Sequence, residues 1–185
     1  MSDDELFQSL IYSQLILFSL AIILSIFFFE RISDWFNLFI LDSYQIFFYG
    51  CLAGLLIVFI DVILMVILPK KYFDDGGINE RIFKNQSIFN IFIIALIVAV
   101  SEELLFRGLI QTIFGYFIAS TLFALVHVRY LRKPVLLISV LLISFYLGYL
   151  YEITNNLFVT IFAHFIVDFL LGVIIRYNIH EVIFR

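Results

Sequence analysis

The stretch "SEELLFRG", Ser101 to Gly108, follows "IFNIFIIALIVAV", a run without a single charge. Two adjacent glutamates and an arginine in such a segment could do acid–base chemistry, and they are costly to place there. A charge at the centre of a membrane helix costs about 2.5 to 3.5 kcal/mol, so three cost roughly 8 to 10 kcal/mol before any pairing. Further along lie His127 in "FALVH", then His164 and Asp168 in "HFIVD", again inside apolar runs. Ionisable groups inside a membrane are functional candidates by default. Glu103 and Arg107 stand four apart with the acid first, the favourable order for a pair stacked on one helix face. Glu102 is turned about 100° from Glu103 and is left for another task. With one water, Glu102 and His127 would make a hydrolytic centre, Glu102 acting as general base. His164 and Asp168, also four apart, would then hold the oxyanion of a tetrahedral intermediate. Glu102, His127 and His164 are in addition a set able to bind Zn²⁺ with water in the fourth place. Without HExxH nothing in the spacing demands zinc, and the reading adopted is a glutamate-activated water with no obligatory metal.

These residues must be brought together by helices. A span needs about 20 apolar residues, and six candidates follow: 9–29, 44–68, 87–114, 116–128, 134–150 and 157–175. Gly115 is the expected turn between spans three and four. Glu103 lies twelve residues before it and His127 twelve after, so at 1.5 Å per residue both sit about 18 Å from the turn. An antiparallel hairpin would make them level. His164 enters from the same membrane face, about 12 Å past Asn156 by the same rise. The expected architecture is all-α and polytopic, with a polar site between spans three, four and six. "PKKYFDDGGINERIFKNQ" reads as an aqueous loop, and "ERISDWFNLFILDSY" as an amphipathic piece in the interface anchored by Trp35.

Composition supports the membrane reading. The chain is 64% hydrophobic and only 14% charged, against about a quarter charged in soluble domains. No water-soluble core could hide that much apolar surface. A net charge of −4 leaves no basic face for nucleic acid. The single cysteine, Cys51, rules out an intrachain disulfide and a cysteine metal cluster. The acidic start "MSDDELFQ", with no small-residue cleavage site after the apolar run, reads as a retained first span. Nine of the eleven Lys and Arg residues fall in loops on one side of the six-span arrangement. Arg31 alone lies on the other, and Arg107 lies within a span. Positive charge favours the cytoplasmic side, so both termini are expected there, in what is taken to be a bacterial plasma membrane. Residues 1–185 read as one integral membrane domain.

The quoted motifs resemble those of a known family. "EELLFR" is similar to its EExxxR motif, "FALVH" to FxxxH, and "HFIVD" to HxxxN/D. The family is the CPBP intramembrane proteases, also called Abi, which include the type II CAAX prenyl endopeptidases. The resemblance covers roughly 91–168, within a protease-like core of about 87–175. It implies an all-helical membrane endopeptidase acting on a membrane-associated or lipidated peptide or protein, in contact with membrane lipid. It also implies that Glu102 activates water with His127, that His164 and Asp168 polarise the carbonyl, and that Glu103 and Arg107 organise the site. Many members carry asparagine where this chain has Asp168. Two other classes remain on the sequence alone: a proton-coupled carrier, and a non-catalytic immunity or scaffold member. No inverted repeat speaks for the carrier, and the complete motif set disfavours lost activity. Oligomeric state is left open.

Overall fold

The computed structural model describes residues 1–72 and 74–178, apart from the side chain of Lys70. Eight helical segments run through the described residues in this order. Helix α1 spans Asp3–Phe28, α2 Ser33–Asn37, α3 Ser43–Ile67, α4 Ile78–Phe83, α5 Ile88–Phe114, α6 Tyr116–Val126, α7 Pro134–Thr154 and α8 Leu157–Arg176. No strand occurs among the described residues. Five of these helices are long and apolar enough to cross a membrane, and α6 is a shorter apolar one. The fold is all-α and polytopic.

Local chemistry explains the helix ends. Ser2 and Glu5 close a capping box on α1, Glu5 N–H donating to Ser2 Oγ at 3.2 Å and Ser2 N–H to Glu5 Oε2 at 2.7 Å. Ser87 caps α5 and Asn156 caps α8, each accepting from a backbone N–H of the first turn. Pro134 sits in the first turn of α7, where its missing N–H is harmless. Gly115, at φ 89°, makes the turn between α5 and α6 that a side chain would oppose.

Helix α6 ends sooner than the fourth span expected over 116–128. It stops at Val126, with His127 as its C-cap, so its 11 residues cover about 16 Å against a hydrocarbon core of about 30 Å. The chain continues through a 3-10 turn at Val128–Tyr130. Arg129 is the reason it can stop there. Its guanidinium reaches Asp75 at 3.6 Å in the polar loop before α4 and Asn79 Oδ1 at 3.1 Å in the first turn of α4. Helix α4 is tied in turn to the start of α1 by Arg81 and Asp3 at 2.7 Å. The N-terminus, the loop and the α6–α7 connection thus share one face.

Helix α8 is the hub, packed on α3, α5 and α7. Gly50 and Gly54, four apart on α3, let it approach: a Cβ at Gly54 would lie 2.8 Å from Ala163 O, and one at Gly50 2.9 Å from Val159 O. Small residues four apart are the usual device for close helix contact in lipid. Ala163 precedes His164, so this contact also sets the register of the site. Gly54→Leu is expected to lower stability by roughly 1 to 3 kcal/mol through overpacking. Thermal unfolding in detergent reads it, and an unchanged midpoint would contradict the close packing.

The segment between α1 and α3 is fastened to the start of α8. Leu157 N–H donates to Leu38 O at 2.8 Å, and the Asn156 amide pairs with both the N–H and the C=O of Ile40. Trp35 packs edge-on against Phe29 and lies close to Gly108 on α5, while Ile32, Phe36 and Leu41 of the same segment are exposed.

Candidate active site

At Leu104 helix α5 changes its hydrogen bonding from the α to the wider π pattern, which it keeps to Gln111. Such stretches are rare and recur at functional sites. Seven of those eight residues are buried, so the strand of chain carrying the charges is enclosed by protein and not by lipid. Enclosure is what makes charges tenable there, since each can find a partner.

Glu103 and Arg107 find one another. Arg107 Nη1 donates to Glu103 Oε1 at 3.0 Å, and both residues are 0% exposed. The other arm of the guanidinium, Nη2, reaches Ser144 O at 3.0 Å and Ser144 Oγ at 3.2 Å on α7. Its face lies 4.4 Å over the Phe123 ring of α6, a cation–π contact strengthened by desolvation. One ion pair therefore fastens α5, α6 and α7 together. Arg107→Ala would strand Glu103 in a dry setting, and the expected loss is about 3 to 5 kcal/mol. Accumulation in the membrane and unfolding temperature should both fall. Normal accumulation with loss of activity alone would place Arg107 in the catalytic set instead.

Glu103 also orients a histidine. His164 Nδ1 stands 2.9 Å from Glu103 Oε1, which fixes Nδ1 as the protonated nitrogen, because an ionised carboxylate only accepts. Nε2 is left to face Asp168 Oδ2 at 3.5 Å and Glu102 Oε2 at 4.0 Å. Three carboxylates and one guanidinium meet around this ring. Buried charge in such excess must be completed by protons held among the groups or by a polar ligand.

Glu102, like Glu103, keeps one carboxylate oxygen without a hydrogen-bond partner. Its Oε1 accepts from Gln14 Nε2 of α1 at 3.3 Å, whereas Oε2 is buried with no hydrogen-bond partner. As placed, Oε2 has no water-accessible surface, so a water enters the 4.0 Å gap to His164 Nε2 only when these side chains part. An oriented imidazole and an unengaged carboxylate oxygen are the parts of a hydrolytic centre once water is admitted.

His127 stands apart from this cluster. Its Nδ1 lies 2.7 Å from Phe123 O, so Nε2 remains available. Its ring stacks on Tyr130 at 5.7 Å and meets Phe123 at 4.9 Å, while Phe123 also touches the His164 ring at 5.9 Å. Among the described residues it forms no ion pair with Glu102, Glu103 or Asp168. The hairpin explains the offset. Ser144 bonds to Arg107 and, through its Oγ, to Ser120 O, so those two are level. Counting from them along each helix puts His127 about 4 to 5 Å beyond Glu103, toward the face that holds Arg129. Asp168, one turn from His164 in the same direction, is at His127's depth. The site therefore has two tiers, Glu103 and His164 in one, His127 and Asp168 in the other.

A zinc ion on Glu102, His127 and His164 would need those three donors to converge. Among the described residues no group of three or more His, Cys, Asp or Glu is placed to hold a metal ion, and His127 in particular lies off the cluster.

Several residues at the site carry no motif. Gln14 is 5% exposed although α1 shows most of its surface outward. It is the one amide in the run from Ser9 to Phe29, and an amide in a membrane helix needs a partner on another helix. Ser144 is a buried hydroxyl of the same kind, bonded to Arg107 and to Ser120 O on neighbouring helices. Tyr151 is buried with its hydroxyl 3.1 Å from Thr112 Oγ1, and exposed Glu152 accepts from buried Gln111 at 2.8 Å.

Comparison with known proteins agrees with the geometry. Residues 84–170 match the family described as type II CAAX prenyl endopeptidase Rce1-like. The chain is 41% identical over 166 residues to "Uncharacterized protein YpbD" of Bacillus subtilis (strain 168), covering 90% of this chain and 88% of that protein. No solved structure matches. With the acids of α5 and the histidine of α8 both inside the matched residues, the chain belongs to the Rce1-like family of type II CAAX prenyl endopeptidases.

Proposed function

We propose that the protein is an intramembrane endopeptidase that hydrolyses a peptide bond of a membrane-associated or lipidated peptide or protein. The observation that carries this reading is the free Glu102 Oε2 facing His164 Nε2 across 4.0 Å. A water between them gives its proton to Glu102 Oε2 and its oxygen attacks the scissile carbonyl carbon. The carbonyl oxygen gains the electron pair and is met by two donors, Asp168 as a carboxylic acid and His164 as imidazolium, whose Nε2 then carries a proton as well as Nδ1. Collapse of that intermediate breaks the C–N bond, and the proton held by Glu102 passes to the departing amine. Glu103, through Arg107, keeps the His164 ring aimed. His127, with Nε2 unengaged at the outer tier, is placed to hold substrate or the water on its way in. A polar substrate segment would enter from the face bearing Arg129, the side that the excess of Lys and Arg favours as cytoplasmic.

The test uses protein purified into liposomes and a quenched farnesylated peptide with a C-terminal CAAX sequence as probe. Cleavage by the wild type, absent with His164→Ala, is the expected result. Equal fluorescence release from both would overturn the reading.

A further inference from the structure

The general base is addressed from a helix that lies outside the residues matched to the family. Gln14, on the peripheral helix α1, sits between Glu102 and Ser101: its Nε2 is 3.3 Å from Glu102 Oε1, and its Oε1 is 2.7 Å from Ser101 Oγ. Helices α1 and α5 run parallel from the same face, and Gln14 and Glu102 lie at similar distances from their helix starts. A polar side chain buried on a helix otherwise facing lipid is held by what it does across the contact.

The hydrogens decide what that is. An ionised carboxylate only accepts, so the amide must turn its NH₂ toward Glu102, and its oxygen then needs a donor. Ser101 is that donor, and it has one proton to give. Its Oγ also lies 2.5 Å from Ile97 O and 3.3 Å from Val98 O, acceptors on its own helix. If the hydroxyl turns to Ile97, Gln14 must reverse to donate to Ser101, and the amide oxygen then meets the carboxylate oxygen. Such reversal is unfavourable while Glu102 is charged. The charge on Glu102 thus turns the amide NH₂ toward Oε1, and the Ser101 hydroxyl reinforces that orientation whenever it donates to the amide oxygen rather than to Ile97.

From this geometry we infer that Gln14, its orientation reinforced by Ser101, is a positioning residue for Glu102 that occupies Oε1 and leaves Oε2 as the oxygen that takes the proton from water. The inference rests on the general-base reading of Glu102. It makes α1 part of the catalytic apparatus and not merely a lipid-facing wall. Ser101 acts through Gln14 alone, so its effect must vanish when Gln14 is gone.

The test compares Gln14→Met, Ser101→Ala, the double variant and Glu102→Gln in liposomes with the farnesylated probe. Methionine keeps the length and suits lipid but cannot donate. Loss of a hydrogen bond to a charged group predicts a fall in kcat of about tenfold or more with KM unchanged. Ser101→Ala should lower kcat less, and add nothing in the Gln14→Met background. Wild-type turnover by Gln14→Met, with Glu102→Gln inactive, would overturn the inference and leave the base reading standing. Turnover by Glu102→Gln would overturn the reading and the inference with it. Infrared spectra with ¹³C-carboxyl glutamate give a readout independent of turnover. The Glu102 band, identified by its loss in Glu102→Gln, should shift in Gln14→Met, and an unmoved band would contradict the contact.

Discussion

Glu102→Gln is expected to abolish hydrolysis while leaving the protein folded and inserted. The amide keeps the volume of the acid, and its oxygen can still accept from Gln14 as Glu102 Oε1 does. What it loses is the basic oxygen facing His164 Nε2. General acid–base catalysis is worth roughly 10²- to 10⁴-fold, and here the base also returns the proton to the leaving amine, so both halves of the reaction fail together. Turnover with the farnesylated probe, alongside unfolding temperature, reads the result. A variant that unfolds as the wild type does and still cleaves would show that Glu102 is not the base.

Asp168 separates two chemistries. Its Oδ2 lies 3.5 Å from His164 Nε2, and its side chain, 29% exposed, is the most open of the cluster. There it can act as a carboxylic acid donating to an oxyanion, or as a carboxylate orienting the imidazole. If it donates, Asp168→Asn keeps a donor and much of the activity, whereas Asp168→Ala loses about 10²- to 10³-fold. If its charge is required, Asp168→Asn falls as far as Asp168→Ala. The account predicts the first pattern across pH 6 to 9. A dead Asp168→Asn restored by excess Zn²⁺ would instead make the site a metal centre.

The helices that carry the chemistry were legible because charge is conspicuous in lipid. The spans expected over 87–114 and 157–175 are found at Ile88–Phe114 and Leu157–Arg176, and the Gly115 turn and the Glu103–Arg107 pair follow from local geometry alone. What stayed hidden is which side of each helix faces protein. Lipid tails and a protein core are equally apolar, so hydropathy does not distinguish them. Gln14 in α1, Ser144 in α7 and the Gly50–Gly54 contact in α3 all lie on such faces. The short α6 was bounded more loosely for a different reason: His127 and Val128 can still be read as its last residues, and the backbone leaves the helix at Val126 with His127 as C-cap. That early stop, with the hairpin's stagger, sets His127 about a turn from Glu103.

The central claim is that Glu102 makes this protein a protease of the membrane. Its most direct test is quantitative N-terminal proteomics of membranes from cells producing wild-type protein or Glu102→Gln at equal levels. The account predicts membrane-associated peptides whose new termini appear with the wild type and are missing with the variant. Identical termini in the two samples would contradict it.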